Sequence, residues 1–123
     1  MYGINTYRSR RVDTASPAQV VLLLLLEAAR QMELAAQCID GEKGDAPSHL
    51  HAARNILTEL QAALDPTGPA AELVGRLGPL YTWAQAELAA GGWRRDAPRI
   101  RAVGRAIAPL IEAWSIVRST GLA

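Results

Sequence analysis

The chain has 123 residues, half of them hydrophobic, and a formal net charge of +1 at pH 7. This length fits one domain with a buried core, and so small a charge argues against a dedicated nucleic-acid-binding protein. Cys38 is the only cysteine and Phe is absent, so an internal disulfide is excluded and aliphatic side chains must fill the core. An interior rich in Ala and Leu favours helices, and we expect an all-α protein.

The beginning of the chain predicts neither a secretory signal nor a membrane span. The segment from Met1 to Asn5 lacks the charged-then-apolar order of a signal sequence. The longest strongly apolar run, Val20 to Leu26, is far shorter than the roughly 20 residues that span a bilayer. We therefore expect a cytoplasmic protein with no membrane insertion.

The first part of the chain divides into a polar lead and a helix. Residues 1–15 form the lead, in which Tyr7 and Val12 are apolar anchors. Ser16 suits an N-cap and proline suits the first helical position, so we place the first helix at about Pro17–Asp40. Gly41 and the polar residues after it end this helix.

Three further helices are predicted from apolar residues that recur at alternating steps of three and four. Asp45 caps the second helix, which runs to about residue 64. The third covers about 70–90, where Gly91 and Gly92 stop it, and Asp96 caps the fourth. Helices of this length joined by short turns predict an antiparallel four-helix bundle over 16–118, followed by a tail at 119–123.

Two prolines, Pro79 and Pro109, fall inside the third and fourth helices. Each removes a backbone hydrogen bond and crowds the carbonyl group four residues earlier. We therefore expect a kink in each of these helices.

The first helix carries more leucine than one buried face needs. If Val21, Leu25 and Ala28 face the bundle, Leu22 and Leu26 lie on the flank of the helix. Burial of one leucine contributes about 1.5–3 kcal/mol, so several leucines left in water would be a liability for solubility. The lead, a second copy of the chain, or an apolar segment of a partner would cover them, and the sequence leaves these alternatives open.

No group of residues in the sequence predicts catalysis, a metal site or a cofactor. His49 and His51 are two residues apart, so on a helix they point away from each other and do not share a metal ion. Cys38 lacks the context of a reactive thiol. We interpret the arginines near the start of the fourth helix as a solvated face rather than a nucleic-acid site; they are Arg94, Arg95, Arg99, Arg101 and Arg105.

Several short motifs occur in an order that resembles the FliS family of flagellin export chaperones. They are Asn5-x-Tyr7, Val12-x-Thr14-Ala15-Ser16-Pro17-x-Gln19, Ala28-x-Arg30, Asn55-Ile56-Leu57-Thr58-Glu59-Leu60, Leu77-x-x-Leu80-Tyr81-x-Trp83, Arg94-Arg95-Asp96 and Trp114. Each motif is weak alone, but their joint spacing over about residues 5–117 is specific. The chain departs from the family pattern at 25–27, where the family usually has Tyr, an acidic residue and Gly, and at 91–92, where it usually has Ala-Asn.

The resemblance implies a cytoplasmic export chaperone without catalytic activity, metal or cofactor. Such a chaperone binds the disordered C-terminal segment of flagellin, prevents its premature polymerisation and keeps it competent for the flagellar type III export apparatus. Without a partner we expect a monomer or a weak homodimer. The alternative is a homodimeric helical-bundle interaction protein with no role toward flagellin, in which the leucines of the first helix meet those of the second copy.

The resemblance also implies positions that contact the partner or back the contact surface. Leu26 is added to them only because of the leucine excess in the first helix. Core packing explains Leu57 and Leu60 equally well, whereas Ile56 and Tyr81 lie beside the apolar seams of their helices. The full set of predicted partner-binding residues is Tyr7, Val12, Leu22, Leu26, Ile56, Leu57, Leu60, Tyr81 and Trp83.

Overall fold

The computed structural model describes residues 17–68 and 70–120 and consists of four α-helices in this part of the chain. Helix α1 spans Pro17–Asp40, α2 spans Ala46–Ala62, α3 spans Ala71–Arg94 and α4 spans Ala97–Thr120. The described residues include no strand, and the prediction of an all-α protein is confirmed. The predicted lead, with Tyr7 and Val12, lies outside the described residues.

Helix α1 is the central element of the bundle. It packs along α2 on one side and along α4 on the other, and α3 contacts the same two helices less extensively. Short turns join successive helices, so neighbours run in opposite directions. None of the helices that the structure describes is both long and apolar enough to cross a membrane.

The core between the helices consists of hydrophobic residues, with the Tyr81 phenol as the polar group that they enclose among the described residues. Burial of aliphatic surface therefore holds the bundle together. The largest fully buried side chains are Tyr81, Leu25, Met32, Ile56, Leu57, Leu88, Ile100, Ile107 and Val103.

The central position of α1 corrects one expectation from the sequence. Leu22 was expected on the flank of the helix, but the structure buries it together with Leu24. A helix packed on two sides needs a wider apolar stripe than a helix with one buried face. Of the leucines in α1, Leu26 is the exposed one, with 45% of its surface accessible.

Polar contacts fix the helices relative to one another outside this core. Arg101 of α4 bridges two carboxylates of α1, with Nη2 3.0 Å from Glu33 Oε2 and Nη1 2.6 Å from Asp40 Oδ2. Gln85 of α3 donates from Nε2 to the Arg54 carbonyl oxygen of α2 at 2.9 Å, and Arg54 Nε donates back to Gln85 Oε1 at 3.1 Å. These contacts lie on the surface and add register rather than much stability.

The prediction that Gly91 and Gly92 stop α3 is wrong, since the helix continues to Arg94. A Cβ on Gly91 would lie 2.8 Å from Ile100 Cγ1, and one on Gly92 would lie 2.7 Å from Leu50 Cδ1. The two glycines therefore allow α4 and α2 to approach α3 closely. The helix ends at Arg94 instead, where the next residue, Arg95, has a φ of 52° in the left-handed region.

Helices α3 and α4 both continue through their internal prolines. Pro79 lies within Ala71–Arg94 and Pro109 lies within Ala97–Thr120. The expected kinks at these positions remain a prediction.

Candidate functional site

The bundle is open at one end because its helices differ in length. Helix α2 has 17 residues, whereas α1, α3 and α4 have 24 each. At 1.5 Å per residue, α2 is shorter by about 10 Å. It begins after a short turn from α1, so the shortfall lies at its C-terminal end, where residues 63–70 connect to α3.

An apolar groove of ≈ 280 Å³ occupies this end of the bundle. Buried side chains of Leu60, Leu77 and Tyr81 form its floor. Leu73 stands at its edge with 48% of its surface accessible, although it is a large apolar residue. The full lining consists of Val21, Leu60, Ala63, Leu64, Asp65, Gly68, Ala70, Leu73, Val74, Leu77, Tyr81 and Trp114.

The turn between α2 and α3 is held by its own hydrogen bonds. Asp65 Oδ1 accepts from the Thr67 amide at 2.9 Å and from Thr67 Oγ1 at 2.7 Å, and the Gly68 amide donates to the Asp65 carbonyl oxygen at 3.3 Å. Hydrogen bonding from Thr67 lowers the pKa of the Asp65 carboxyl, which is therefore ionised at neutral pH. The groove thus has a fixed wall with one negative charge in its lining.

The lining of the groove is mostly apolar. Its polar side chains are the Asp65 carboxylate and the Tyr81 phenol. Burial raises the pKa of Tyr81, so the phenol stays neutral at physiological pH. Within the ranges that the structure describes, no group of His, Cys, Asp or Glu residues has the arrangement of a metal site. An apolar side chain entering this groove would displace water from aliphatic and aromatic surface, which is favourable.

A second groove, of ≈ 470 Å³, runs between α2 and α3 and is more polar. Its lining includes His51, Arg54, Asn55, Thr58 and Gln85. Arg54, Thr58 and Gln85 already bond to one another across the two helices. This groove therefore exposes less apolar surface than the groove at the open end.

The structure separates the predicted partner-binding residues into three groups. Leu60 and Tyr81 line the apolar groove. Leu22, Ile56 and Leu57 are buried in the core and do not line the groove. The remaining described residues, Leu26 and Trp83, are exposed but do not line the groove.

Several lining residues were not among the predicted partner-binding positions. They are Leu64, Leu73, Val74, Leu77 and Trp114. Helical periodicity places Leu73, Leu77 and Trp114 on the apolar seams of α3 and α4, and of these three the structure buries Leu77. The seams open toward solvent at this end because α2 stops early. The sequence signal for this opening was the helix-breaking segment at 65–69, which ends α2 early and makes it shorter than the other helices.

The fold and the groove define a class of protein: a small helical bundle with an open apolar groove at one end. The family model described as flagellar protein FliS matches residues 1–121 of the chain, and the chain belongs to this family. Membership gives it the general role of a flagellar chaperone. A comparison with curated proteins gave no match.

Proposed function

We propose that this chain is a cytoplasmic export chaperone for flagellin. It binds the disordered C-terminal segment of flagellin, prevents premature polymerisation and keeps the segment competent for flagellar type III export. The observation that carries this proposal is the open apolar groove at the end where α2 stops, in a chain of the FliS family. The role needs binding alone, so no catalytic group is assigned.

The groove would hold one part of a flagellin segment whose remaining length wraps around the bundle. A cavity of ≈ 280 Å³ holds only a few apolar side chains, which is little contact for a disordered segment that must be ordered on binding. Leu26, Trp83 and Ile116 supply further exposed apolar surface on α1, α3 and α4. A segment that reaches several of these positions would bury more area than the groove alone provides. It would also cover its own apolar stripe, which is the part that drives assembly with other flagellin copies.

Substitution of Leu73 tests the groove as the anchor point. We expect Leu73→Glu to weaken binding of a labelled C-terminal flagellin segment at least tenfold in fluorescence anisotropy, because a carboxylate would enter apolar surface. Leu73 is already half exposed, so the melting temperature should stay close to that of the wild type.

The matched control is Ala86→Glu, which adds the same charge at an exposed position of α3 outside the groove. Its affinity should equal that of the wild type. Equal losses in both variants, or no loss with Leu73→Glu, would remove the groove from the proposed site.

A further inference from the structure

At the opposite end of the bundle, Trp93 is the most exposed large hydrophobic side chain that the structure describes, with 89% of its surface accessible. Its neighbours along the chain are Arg94 and Arg95, which are also exposed. An exposed tryptophan followed by two exposed arginines has the composition of a binding hot spot.

The packing of α3 explains why Trp93 points away from the bundle. Gly91 faces Ile100 of α4 and Gly92 faces Leu50 of α2, each without room for a Cβ atom. Successive residues of a helix are rotated by about 100°, so Trp93 lies about 150° from the mean direction of the two glycines. The close contacts that fix the end of α3 therefore also direct the Trp93 side chain away from the bundle, where it forms a projecting knob.

The corner between α3 and α4, residues 93–96, is held in place by backbone hydrogen bonds. The Arg95 amide donates to the Gly92 carbonyl oxygen at 3.3 Å, and the Asp96 amide donates to the Gly91 carbonyl oxygen at 2.8 Å. Little backbone freedom has to be lost when a partner binds such a corner, which favours affinity.

The corner also carries uncompensated positive charge. Arg94 and Arg95 form no ion pair with the described residues, whereas the carboxylates near them have other partners. Asp40 pairs with Arg101, Glu87 pairs with Arg99, and Asp96 accepts a hydrogen bond from the Arg99 amide at the start of α4. A complementary partner presents an apolar recess with a carboxylate in its lining.

The apolar groove at the other end of the same chain has this composition, since Asp65 is the charged residue in its lining. We propose that Trp93 of one copy inserts into the apolar groove of a second copy, with Arg94 and Arg95 facing its Asp65. The association is head to tail, because the two contacting surfaces lie at opposite ends of the bundle. The contact is small, so the association is weak and reversible.

Head-to-tail contact has a consequence that separates it from the homodimer considered from the sequence. An interface between two different patches is heterologous. The terminal copies of such an assembly keep one free knob and one free groove, so further copies add and the assembly does not stop at two. A symmetric dimer through the leucines of α1 would stop at two. In the absence of flagellin, Trp93 of a second copy covers the groove. The flagellin segment then displaces this tryptophan, a step that rests on the proposed function.

Analytical ultracentrifugation of the full chain tests the contact without any partner. We expect the average mass to rise with protein concentration and to pass that of a dimer. Trp93→Glu should weaken self-association at least tenfold, and Arg105→Gln, which lowers the charge by the same one unit at an exposed arginine away from the corner, should leave it unchanged. A wild-type chain that stays monomeric, that stops at two copies, or that associates equally well with Trp93→Glu would overturn the proposal.

A mixing experiment identifies the two surfaces directly. Trp93→Glu retains an intact groove and Leu73→Glu retains an intact knob, so each variant alone should be monomeric while an equimolar mixture forms a dimer and stops there. A mixture that remains monomeric would contradict the knob-and-groove assignment.

Addition of the C-terminal flagellin segment then separates this proposal from the proposed function. Loss of the larger species on saturation supports both. Self-association of the chain in the absence of any binding to flagellin would overturn only the proposed function, whereas binding of flagellin without release of the second copy would overturn the placement of the knob in the groove.

Discussion

At the scale of single residues, the glycines of α3 and α4 have different roles that a sequence pattern does not distinguish. Gly91 lies at a contact where a Cβ would be 2.8 Å from Ile100 Cγ1, and Ile100 is fully buried. Gly104 has no atom within 4 Å of an added Cβ. The first glycine is needed for packing, and the second only lowers helix propensity.

This difference predicts opposite effects of the same substitution. Gly91→Ala should lower the free energy of unfolding by about 1 kcal/mol, because overpacking of about 1–3 kcal/mol outweighs the gain in helix propensity. Gly104→Ala should raise it by up to about 1 kcal/mol. Urea denaturation followed by circular dichroism measures both, and stabilisation by Gly91→Ala would contradict the close packing of α3 against α4.

Leu26 provides a second prediction at this scale. It is 45% exposed on α1, outside the apolar groove, so substitution there should not disturb the core. If the flagellin segment wraps beyond the groove, Leu26→Glu weakens its binding at least tenfold while the helical signal and the melting temperature stay near those of the wild type. Unchanged affinity in a titration would show that the wrap does not reach this flank of α1.

At the scale of helices, the shortness of α2 decides where the bundle is open. The first turns of α3, residues 71–76, are mostly exposed because no turn of α2 lies beside them. The middle of α1 is enclosed between α2 and α4, with Ala28, Met32 and Ala35 buried. Local stability should follow this difference in enclosure.

Hydrogen exchange followed by mass spectrometry should therefore show faster exchange at 71–77 than at 28–36. Binding of the flagellin segment should slow exchange at 71–77, since a partner would cover the edge of the groove. Equal exchange in the two segments, or protection that appears only elsewhere, would contradict the assignment of this end as the binding site.

The contact between α1 and α4 through Arg101 predicts a dependence on pH. The hydrogen bond from Arg101 lowers the pKa of Glu33 below its usual 4.5. A carboxyl whose pKa is lowered by folding stabilises the fold above its unfolded pKa, and this stabilisation is lost as the pH falls through the folded pKa. Arg101→Gln should therefore reduce the loss of stability on acidification below the usual pKa of Glu33, measured by urea denaturation at several pH values. The effect should be small because both side chains are partly exposed.

At the scale of the whole molecule, the sequence predicts the helices better than it predicts the site. The N-cap and proline signals and Gly41 place the first helix at the bounds that α1 has in the structure, Pro17–Asp40. Periodicity identifies Leu25 and Ala28 as core residues, since it depends on one helix at a time. Leu22 escaped this reasoning because its burial depends on how many helices surround α1.

Periodicity did not predict the groove, because the groove forms between helices and periodicity describes one helix at a time. Leu73 and Trp114 have the spacing of core residues, yet one is half exposed and both line the groove. Their exposure depends on the end of α2 and on the path of residues 63–70, neither of which periodicity in α3 or α4 contains. The prediction that Gly91 ends α3 failed for a related reason, because the role of Gly91 is set by its contact with Ile100 on the next helix.

Isothermal titration of the wild-type chain with the last ~40 residues of the flagellin from the same cell tests flagellin binding most directly, at a length that a wrapping disordered segment requires. We predict saturable one-to-one binding with a negative change in heat capacity, because apolar surface is buried as the segment becomes ordered. Leu73→Glu should weaken this binding at least tenfold. Absence of heat and of complex at all temperatures would contradict the proposed chaperone function toward flagellin.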